Sequence, residues 1–431
     1  MKVLVIGSGA REHALVVALS RDPQVGEVLA APGNPGMAQL ATCLEVEATD
    51  PDAVAALAVE HGVDLVVVGP EAPLVAGVSD AVAARGIPCF GPTARAARLE
   101  GSKAFAKEVM EVAGVPTARA RVCTTVDAAM EALDELGAPY VVKDDGLAAG
   151  KGVVVTEERT KALAHAVQCL ERPRAAGEDE TRVVIEEFLD GPEISLFCLT
   201  DGRTVVPLAP AQDFKRLCDG GRGPNTGGMG AYSPLDWAPQ TLTEEVVSTI
   251  AQPTVDEMRR RGTPFAGVLY VGLALTGRGL RVVEFNARFG DPETQVVLAR
   301  LRTGLGGVLL AAARGELAEI PPLEWSDDAA VTVVVAARGY PEAPRKGDPV
   351  VIGEVGDAEI LHAGTRQRPD GLVTAGGRVL SVVATGPDLA AARAAAYDAV
   401  DAVDIPGSRH RTDIALAAAQ HRIVLPGQEQ A

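Results

Sequence analysis

Tyr140-Val141-Val142-Lys143-Asp144-Asp145-Gly146-Leu147-Ala148-Ala149-Gly150-Lys151-Gly152-Val153-Val154-Val155 is two apolar runs joined by a glycine-rich segment. Tyr140–Lys143 reads as one strand, 144–152 as a loop with glycine at 146, 150 and 152, and Gly152–Val155 as a second strand. The tip of such a hairpin can fold over a polyphosphate. Glycine lets the main chain approach phosphate oxygens, and lysine neutralises them. It is not a Walker loop, because no Gly-Lys-Ser/Thr opens a helix. The bland alternative is a plain hairpin with a long tip. Against it, only eight of the 40 basic residues are lysine, and this hairpin holds Lys143 and Lys151. A lysine is a compact point charge where arginine is a broad fork, so a scarce lysine inside a motif marks chemistry.

Downstream, Val184-Ile185-Glu186-Glu187-Phe188-Leu189-Asp190-Gly191-Pro192-Glu193 reads as an edge strand and a turn. Exposed main-chain groups there suit an adenine ring, and the Glu193 carboxylate suits ribose hydroxyls. Further on, Val283-Glu284-Phe285-Asn286-Ala287-Arg288-Phe289-Gly290-Asp291-Pro292-Glu293-Thr294 alternates apolar and polar residues. Residues two apart share a strand face, so Glu284 and Asn286 present two oxygen ligands suited to Mg²⁺. Arg288 continues that face and can stabilise transferring phosphoryl oxygens. Between these motifs, 212–234 is dense in glycine and has no sustained period. A loop of that length is functional or disordered. Gly223-Pro224-Asn225-Thr226-Gly227-Gly228-Met229-Gly230-Ala231-Tyr232 reads equally as a main-chain anion nest or as a flexible surface loop.

The first hundred residues alternate strands (Val3–Ile6, Val28–Ala31, Leu65–Val68, Pro88–Phe90) with helical stretches (Glu12–Ser20, Pro51–Glu60, Val75–Arg85). That order predicts a doubly wound parallel sheet whose ligand sits at the carboxyl ends of its strands. Gly7-Ser8-Gly9 resembles a dinucleotide fingerprint, but Glu12 stands where its third glycine belongs, which speaks against a nicotinamide site. Its amides can still hold one phosphate at the helix start. Ser102 is a predicted N-cap for a helix ending at Gly114. After Trp325, strands Ala329–Ala337, Val350–Ile352, Ile360–His362 and Arg378–Ala384 with a helix Leu389–Val403 suggest a separate small α+β unit.

The 431 residues are 47% apolar and 23% charged, enough for about three domains with real cores. A net charge of −18 disfavours nucleic acid and a polybasic membrane surface. The six cysteines form no CxxC pair and read as buried free thiols in a reducing, cytoplasmic setting.

Together these residues resemble the phosphoribosylamine–glycine ligases (glycinamide ribonucleotide synthetases) of the ATP-grasp superfamily. The resemblance runs from Met1 to about Ala419. It is most specific at Gly69–Leu74, Leu99–Lys103, Gly146–Gly152, Gly223–Pro234 and Glu284–Gln295. It implies a parallel N-terminal domain over 1–101, an ATP-grasp core over 102–325 with a mobile lid at about 120–191, and a C-terminal α+β domain over 326–426. It implies ATP, Mg²⁺ or Mn²⁺, glycine and 5-phosphoribosylamine as ligands, no nucleic-acid or membrane partner, and a monomer or weak homodimer. Carried over, Lys103, Lys143, Gly150, Lys151 and Gly152 meet ATP phosphates. Glu186, Glu187 and Leu189 form the adenine side, and Glu193 meets ribose. Glu284 and Asn286 hold the metal, and Arg288 with Lys215 and Asp213 serves catalysis. Gly9, Arg11, Glu71, Asn225, Thr226, Gly227, Gly228 and Asp291 meet ribosylamine or glycine.

Three departures follow from the same resemblance. Gly272-Leu273-Ala274 stands where many ATP-grasp enzymes carry a second acidic metal ligand. Asp144 follows the strand lysine where many relatives have alanine, either as a Lys143 partner or as a neutral change. Phe214 stands where some have histidine. The competing readings are a ligase for a different acid, an oxidoreductase, and a nucleotide-binding module without catalysis.

Overall fold

The computed structural model describes residues 1–146, 152–172 and 180–426. Gly150 and Lys151, and most of the polar 172–180 stretch, lie outside the described residues.

The N-terminal strands form one parallel sheet in the order Thr42–Cys43, Glu27–Pro32, Lys2–Gly7, Leu65–Val68, Cys89–Phe90. The central strand is wholly apolar from Val3 to Ile6 and fully buried on both faces, as helices covering both sides of a parallel sheet require. The helical stretch expected over 75–85 is two helices, Glu71–Ala76 and Val78–Ala84, which break at Gly77. The helix Lys103–Ala113 begins as expected: Ser102 Oγ accepts from the Phe105 amide, and Gly114 closes the far end.

A four-stranded antiparallel sheet follows, in the order Ala120–Cys123, Val183–Glu186, Tyr140–Asp144, Val153–Thr156. Helices Val126–Leu136 and Arg159–Glu171 pack on it through Ala129, Leu133, Ala162 and Ala166, a small core of its own. Val183–Glu186 is therefore a central strand and not the expected edge strand. The main chain without a backbone partner among the described residues lies beyond it, at 188–191 in the 187–192 link to the next sheet, since the Glu187 amide donates to the Arg119 carbonyl and the Pro192 carbonyl accepts from the Leu275 amide.

That sheet runs Val205–Pro207, Glu193–Asp201, Ala266–Thr276, Gly279–Asn286. The last two strands pair antiparallel. Helices Glu293–Arg300 and Leu305–Arg314 follow Pro292.

The 212–234 stretch is more ordered than expected. It holds the short strands Gln212–Asp213, Arg216–Cys218, Arg222–Asn225 and Gly230–Ser233. Two of these join the C-terminal strands in one sheet, ordered Gln212–Asp213, Gly230–Ser233, Ala329–Ala336, Arg378–Gly386, Glu359–His362. Ladder hydrogen bonds thus tie the C-terminal unit to the glycine-rich stretch. All six cysteines are free, but Cys218 is exposed, against the expectation of burial.

Candidate active site

The site is built around the strand Gly279–Asn286 and its continuation. Phe285, Ala287 and Phe289 are buried, while Glu284, Asn286 and Arg288 are half-buried on the opposite face. This is the period-two alternation expected of a strand with one packed side. Asn286 Nδ2 lies 3.5 Å from Glu284 Oε1, a contact too long to hold either group firmly. Burial pushes the Glu284 carboxyl upward, but Lys215, Lys143 and Lys103 outweigh it and hold the group below its ordinary value. An ionised carboxylate beside an amide oxygen is a hard donor set that fits Mg²⁺ or Mn²⁺, with phosphate oxygens and water completing the shell. Gly272 pairs with Glu284 across the ladder, so the neighbouring strand offers no second carboxylate there. Among the described residues, no group of three or more His, Cys, Asp and Glu is arranged to hold a metal.

Arg288 is held from three sides. Its Nε lies 3.1 Å from Glu71 Oε2, its Nη2 2.9 Å from Glu100 Oε1, and its Nη1 donates to the Phe289 carbonyl. Burial lowers the Arg288 pKa, but Glu100 and Glu71 more than reverse this, so the guanidinium stays charged. Glu100 Oε2 also accepts from the Ala287 amide at 2.7 Å. The Glu71 carboxyl is raised by burial but ends below its ordinary value, because Arg288 and Arg11 face it. Glu71 thus joins the N-terminal sheet's loop to the stretch that follows the strand Gly279–Asn286.

Lys143 reaches the same strand from the lid sheet. Its ammonium donates to Glu186 Oε2 at 2.9 Å and to the Val283 carbonyl at 3.0 Å. Lys103 donates to the Gly146 carbonyl at 3.1 Å. Asp145 accepts from Ser102 Oγ and the Ala104 amide, closing the start of that helix against the base of the lid loop. Gly152 lies at the other end of the loop, its carbonyl accepting from the Asp144 amide. Asp144 pairs with Arg172 at 3.1 Å, and not with Lys143.

Glu186 points inward, so any adenine contact at this position falls to its main chain. The Glu187 carboxylate accepts from the Arg119 amide and the Arg119 and Arg278 guanidinium groups. Burial opposes them, but these donors draw its pKa down to about 2. Leu189 is half-buried in the link. Glu193 is ion-paired to Lys215. Burial works against the Lys215 ammonium, yet Glu193 and Asp213 hold its pKa well above the ordinary value. Asp213 is pushed up to about 8, first by burial; Lys215 opposes the shift, and Glu293, Glu193 and Glu284 add to it.

The anion nest is not formed. The Thr226 amide donates to the Lys215 carbonyl, Gly227 to Tyr340 Oη, Gly228 to Thr226 Oγ1, and Met229 to the Phe214 carbonyl. Each amide is committed within the protein. Gly228 has φ of +107°, and a Cβ there would collide with Pro292, so only glycine lets the loop lie against Asp291–Pro292. Arg378 clamps both segments, donating to the carbonyls of Gly227 and Asp291 and, at 2.9 Å, to the Asp291 carboxylate. Asn225 is half-buried at the loop's start, where its main chain pairs with Arg216. Phe214 stacks beneath the Arg411 guanidinium at 4.9 Å and beside Tyr232.

At the N-terminal sheet, the Gly9 amide donates to Glu12 Oε2 at 2.7 Å. One amide at the helix start is thus capped by the chain's own Glu12 side chain. Gly69 makes room for it, since a Cβ there would overlap the Glu12 carboxylate. Arg11 pairs with Glu12 and donates to the Phe289 carbonyl at 3.1 Å, next to Arg288.

The structure thus brings Lys103, Lys143, Glu284, Asn286, Arg288, Asp213 and Lys215 together, with Arg11 and Glu71 adjoining. The sequence reading missed Glu100, Lys107, Tyr340 and Arg378. Lys107 carried a signal, being a scarce lysine four residues from Lys103 on one helix face. Glu100 sits inside the Leu99–Lys103 stretch.

A lid hairpin over a sheet whose last strand bears carboxylate, amide and arginine on one face defines an ATP-grasp ligase. Three models of phosphoribosylglycinamide synthetase match the chain: the N domain at 1–100, the ATP-grasp (A) domain at 101–294 and the C domain at 330–417. A phosphoribosylamine–glycine ligase of Streptomyces coelicolor is 64% identical, the match covering 97% of this chain and 100% of the relative. One from Mycobacterium tuberculosis is 56% identical over 98% and 100%. The crystal structure of the Thermotoga maritima phosphoribosylamine–glycine ligase superposes with a TM-score of 0.84 at 35% identity, covering 96% of this chain and 100% of that one. The chain belongs to the phosphoribosylamine–glycine ligase family. A biotin carboxylase from Campylobacter jejuni, 14% identical with a TM-score of 0.72 over 97% and 95% of the two chains, shares the fold. No helix among the described residues is long and apolar enough to cross a membrane.

Proposed function

We propose that this chain joins glycine to 5-phosphoribosylamine, using ATP and releasing ADP and phosphate, a step of de novo purine biosynthesis. The observation that carries the reading is the shared face of Glu284, Asn286 and Arg288, with Lys103, Lys143 and Lys215 arrayed around it. Phosphoryl transfer asks a protein mainly for positioning and charge neutralisation, and this cluster supplies both.

In the first step a glycine carboxylate oxygen attacks the γ-phosphorus. The bond to the ADP oxygen breaks, giving glycyl phosphate and ADP. Lys103 and Lys143, with Gly150, Lys151 and Gly152 of the lid, hold the phosphates. Glu186, Glu187 and Leu189 line the adenine side through the 187–192 link, and Glu193 lies on the ribose side. A divalent cation, Mg²⁺ or Mn²⁺, would be held by Glu284 and Asn286 and would neutralise phosphate charge. Arg288, fixed by Glu71 and Glu100, faces the acyl phosphate.

In the second step the ribosylamine nitrogen attacks the glycyl carbon and phosphate leaves, forming the amide. The nitrogen loses one proton. Asp213 and Lys215 border this reaction, and Gly9, Arg11, Glu71, Asp291 and the 225–228 loop border the amine and acid substrates. Closure of the lid over the site keeps water from the acyl phosphate. We further infer three domains, at 1–101, 102–325 and 326–426, a cytoplasmic location, and a monomer or weak homodimer.

A coupled assay tests the reading. ADP release is expected to require both glycine and phosphoribosylamine. AMP release, or turnover without glycine, would contradict it.

A further inference from the structure

Lys107 stands one helical turn beyond Lys103 on the helix Lys103–Ala113. Like charges at that spacing repel, so its place needs a reason. Its ammonium has three N–H groups. Three acceptors surround it: Thr117 Oγ1 at 2.9 Å, the Ala118 carbonyl at 3.1 Å and Glu186 Oε1 at 3.2 Å. Lys107 therefore has no donor left for a ligand. The other oxygen of the same carboxylate, Glu186 Oε2, holds Lys143 at 2.9 Å. Lys143 has a second acceptor in the Val283 carbonyl at 3.0 Å, next to Glu284. One of its three N–H groups remains, beside the proposed phosphate position.

We propose that Lys107 is a positioning residue for ATP: by holding one oxygen of Glu186, it fixes the carboxylate so that Lys143 presents its remaining N–H to the nucleotide phosphates. The inference rests on the ATP site assigned above. All three side chains are nearly buried, with 11%, 4% and 6% of Lys107, Glu186 and Lys143 exposed. Burial pulls the Lys107 pKa down; Glu186 raises it, and Lys143, across the shared carboxylate, lowers it. Without Lys107, Glu186 has a bare buried oxygen and both oxygens compete for Lys143. Lys143 is then drawn back from the phosphates. The arrangement is Lys107 anchored, Glu186 shared and Lys143 poised.

Calorimetric titration of the full chain with ADP in Mg²⁺, and separately with adenosine, tests this. Lys107→Met is expected to weaken ADP binding tenfold or more, while adenosine binding stays within twofold of wild type. If the methionine variant does not fold, Lys107→Gln carries the same test, because it removes the positive charge that holds Glu186 while keeping a polar side chain. Equal weakening of ADP and adenosine would overturn the proposal and make Lys107 a packing residue; unchanged ADP binding would also overturn it. Absence of ADP binding in the wild-type chain would instead overturn the ATP site on which the inference rests.

Discussion

Arg288 Nη2 and Glu100 Oε1 lie 2.9 Å apart, joining the last turn of the helix Ala94–Gly101 to the continuation of the strand Gly279–Asn286. The other Glu100 oxygen takes the Ala287 amide, so one carboxylate fixes both the arginine and the main chain that carries it. Only 8% of the Glu100 side chain is exposed, and burial raises its pKa, with Arg288 pulling the other way. Burial prevails, helped by Glu71 and Glu284, so the Glu100 carboxyl ends above its ordinary value even with the Arg288 guanidinium favouring its ionised form.

Replacing Glu100 by glutamine keeps the shape and turns one of the two carboxyl oxygens that hold Arg288 and the Ala287 amide into an NH2 group. Arg288 retains Glu71 but loses its more buried partner. Glu100→Gln is expected to lower kcat about ten- to a hundredfold, in line with losses from residues that orient a reacting group, with a smaller change in the KM for ATP. Steady-state kinetics measure this; a kcat within twofold of wild type would mean that Glu71 alone positions the arginine.

The Arg378 contacts lead to a different expectation. This side chain comes from the C-terminal strand Arg378–Gly386 yet holds the Gly227 carbonyl and Asp291. Arg378→Ala leaves these acceptors unpaired and loosens the loop. The KM for glycine or for phosphoribosylamine is expected to rise about tenfold, the equivalent of one lost charged contact of about 1.4 kcal/mol, while the KM for ATP stays within twofold. Lysine should rescue poorly, since it lacks the planar fork. An equal rise for all three substrates would point to global loosening.

How much of this was legible from sequence differs by element. Val3–Ile6 and Leu65–Val68 are strands buried on both faces, and their apolar runs say so locally. The face bearing Glu284, Asn286 and Arg288 was legible too, because strand alternation is a local rule. Gln212–Asp213 and Gly230–Ser233 were not. They are too short to show a period and exist as strands only by pairing with each other and with Ala329–Ala336, about a hundred residues on. The central position of Val183–Glu186 is likewise set by two partners that a strand's own sequence does not encode. The amides of 226–229 looked free because glycine-rich sequence permits a nest, but Lys215, Phe214 and Tyr340 supply closer acceptors. Asp144 pairs with Arg172, a contact brought about by the helix Arg159–Glu171 folding back on the lid sheet.

His13 and His362 give a pH expectation for stability. They meet between the N-terminal helix Ala10–Ser20 and the strand Glu359–His362, where the His362 amide donates to His13 Nδ1 at 2.8 Å. Burial, aided by His362, lowers the His13 pKa to about 3, and burial lowers that of His362 to about 4. Unfolded histidine titrates near about 6.5, so the unfolded chain binds more protons between those values. Stability from the neutral pair is complete above about pH 6.5 and is lost as pH falls toward 4, at up to about 1.4 kcal/mol per pH unit for each ring. The ion pair Arg21–Glu359 flanks the rings. Tm measured from pH 8 to 4.5 should fall below pH 6.5, and His13→Asn, which keeps an acceptor for the His362 amide, should flatten the slope. An unchanged slope would place the acid sensitivity elsewhere.

The central claim is that the glycine carboxylate is activated by direct attack on the γ-phosphoryl group, on the face of Glu284, Asn286 and Arg288. Turnover of glycine labelled with ¹⁸O in its carboxylate tests it most directly, because the carboxylate oxygen that bonds to phosphorus must leave with it. Mass analysis of the released inorganic phosphate should find one ¹⁸O atom for each amide formed. Phosphate without label, with amide formed at the normal rate, would contradict it.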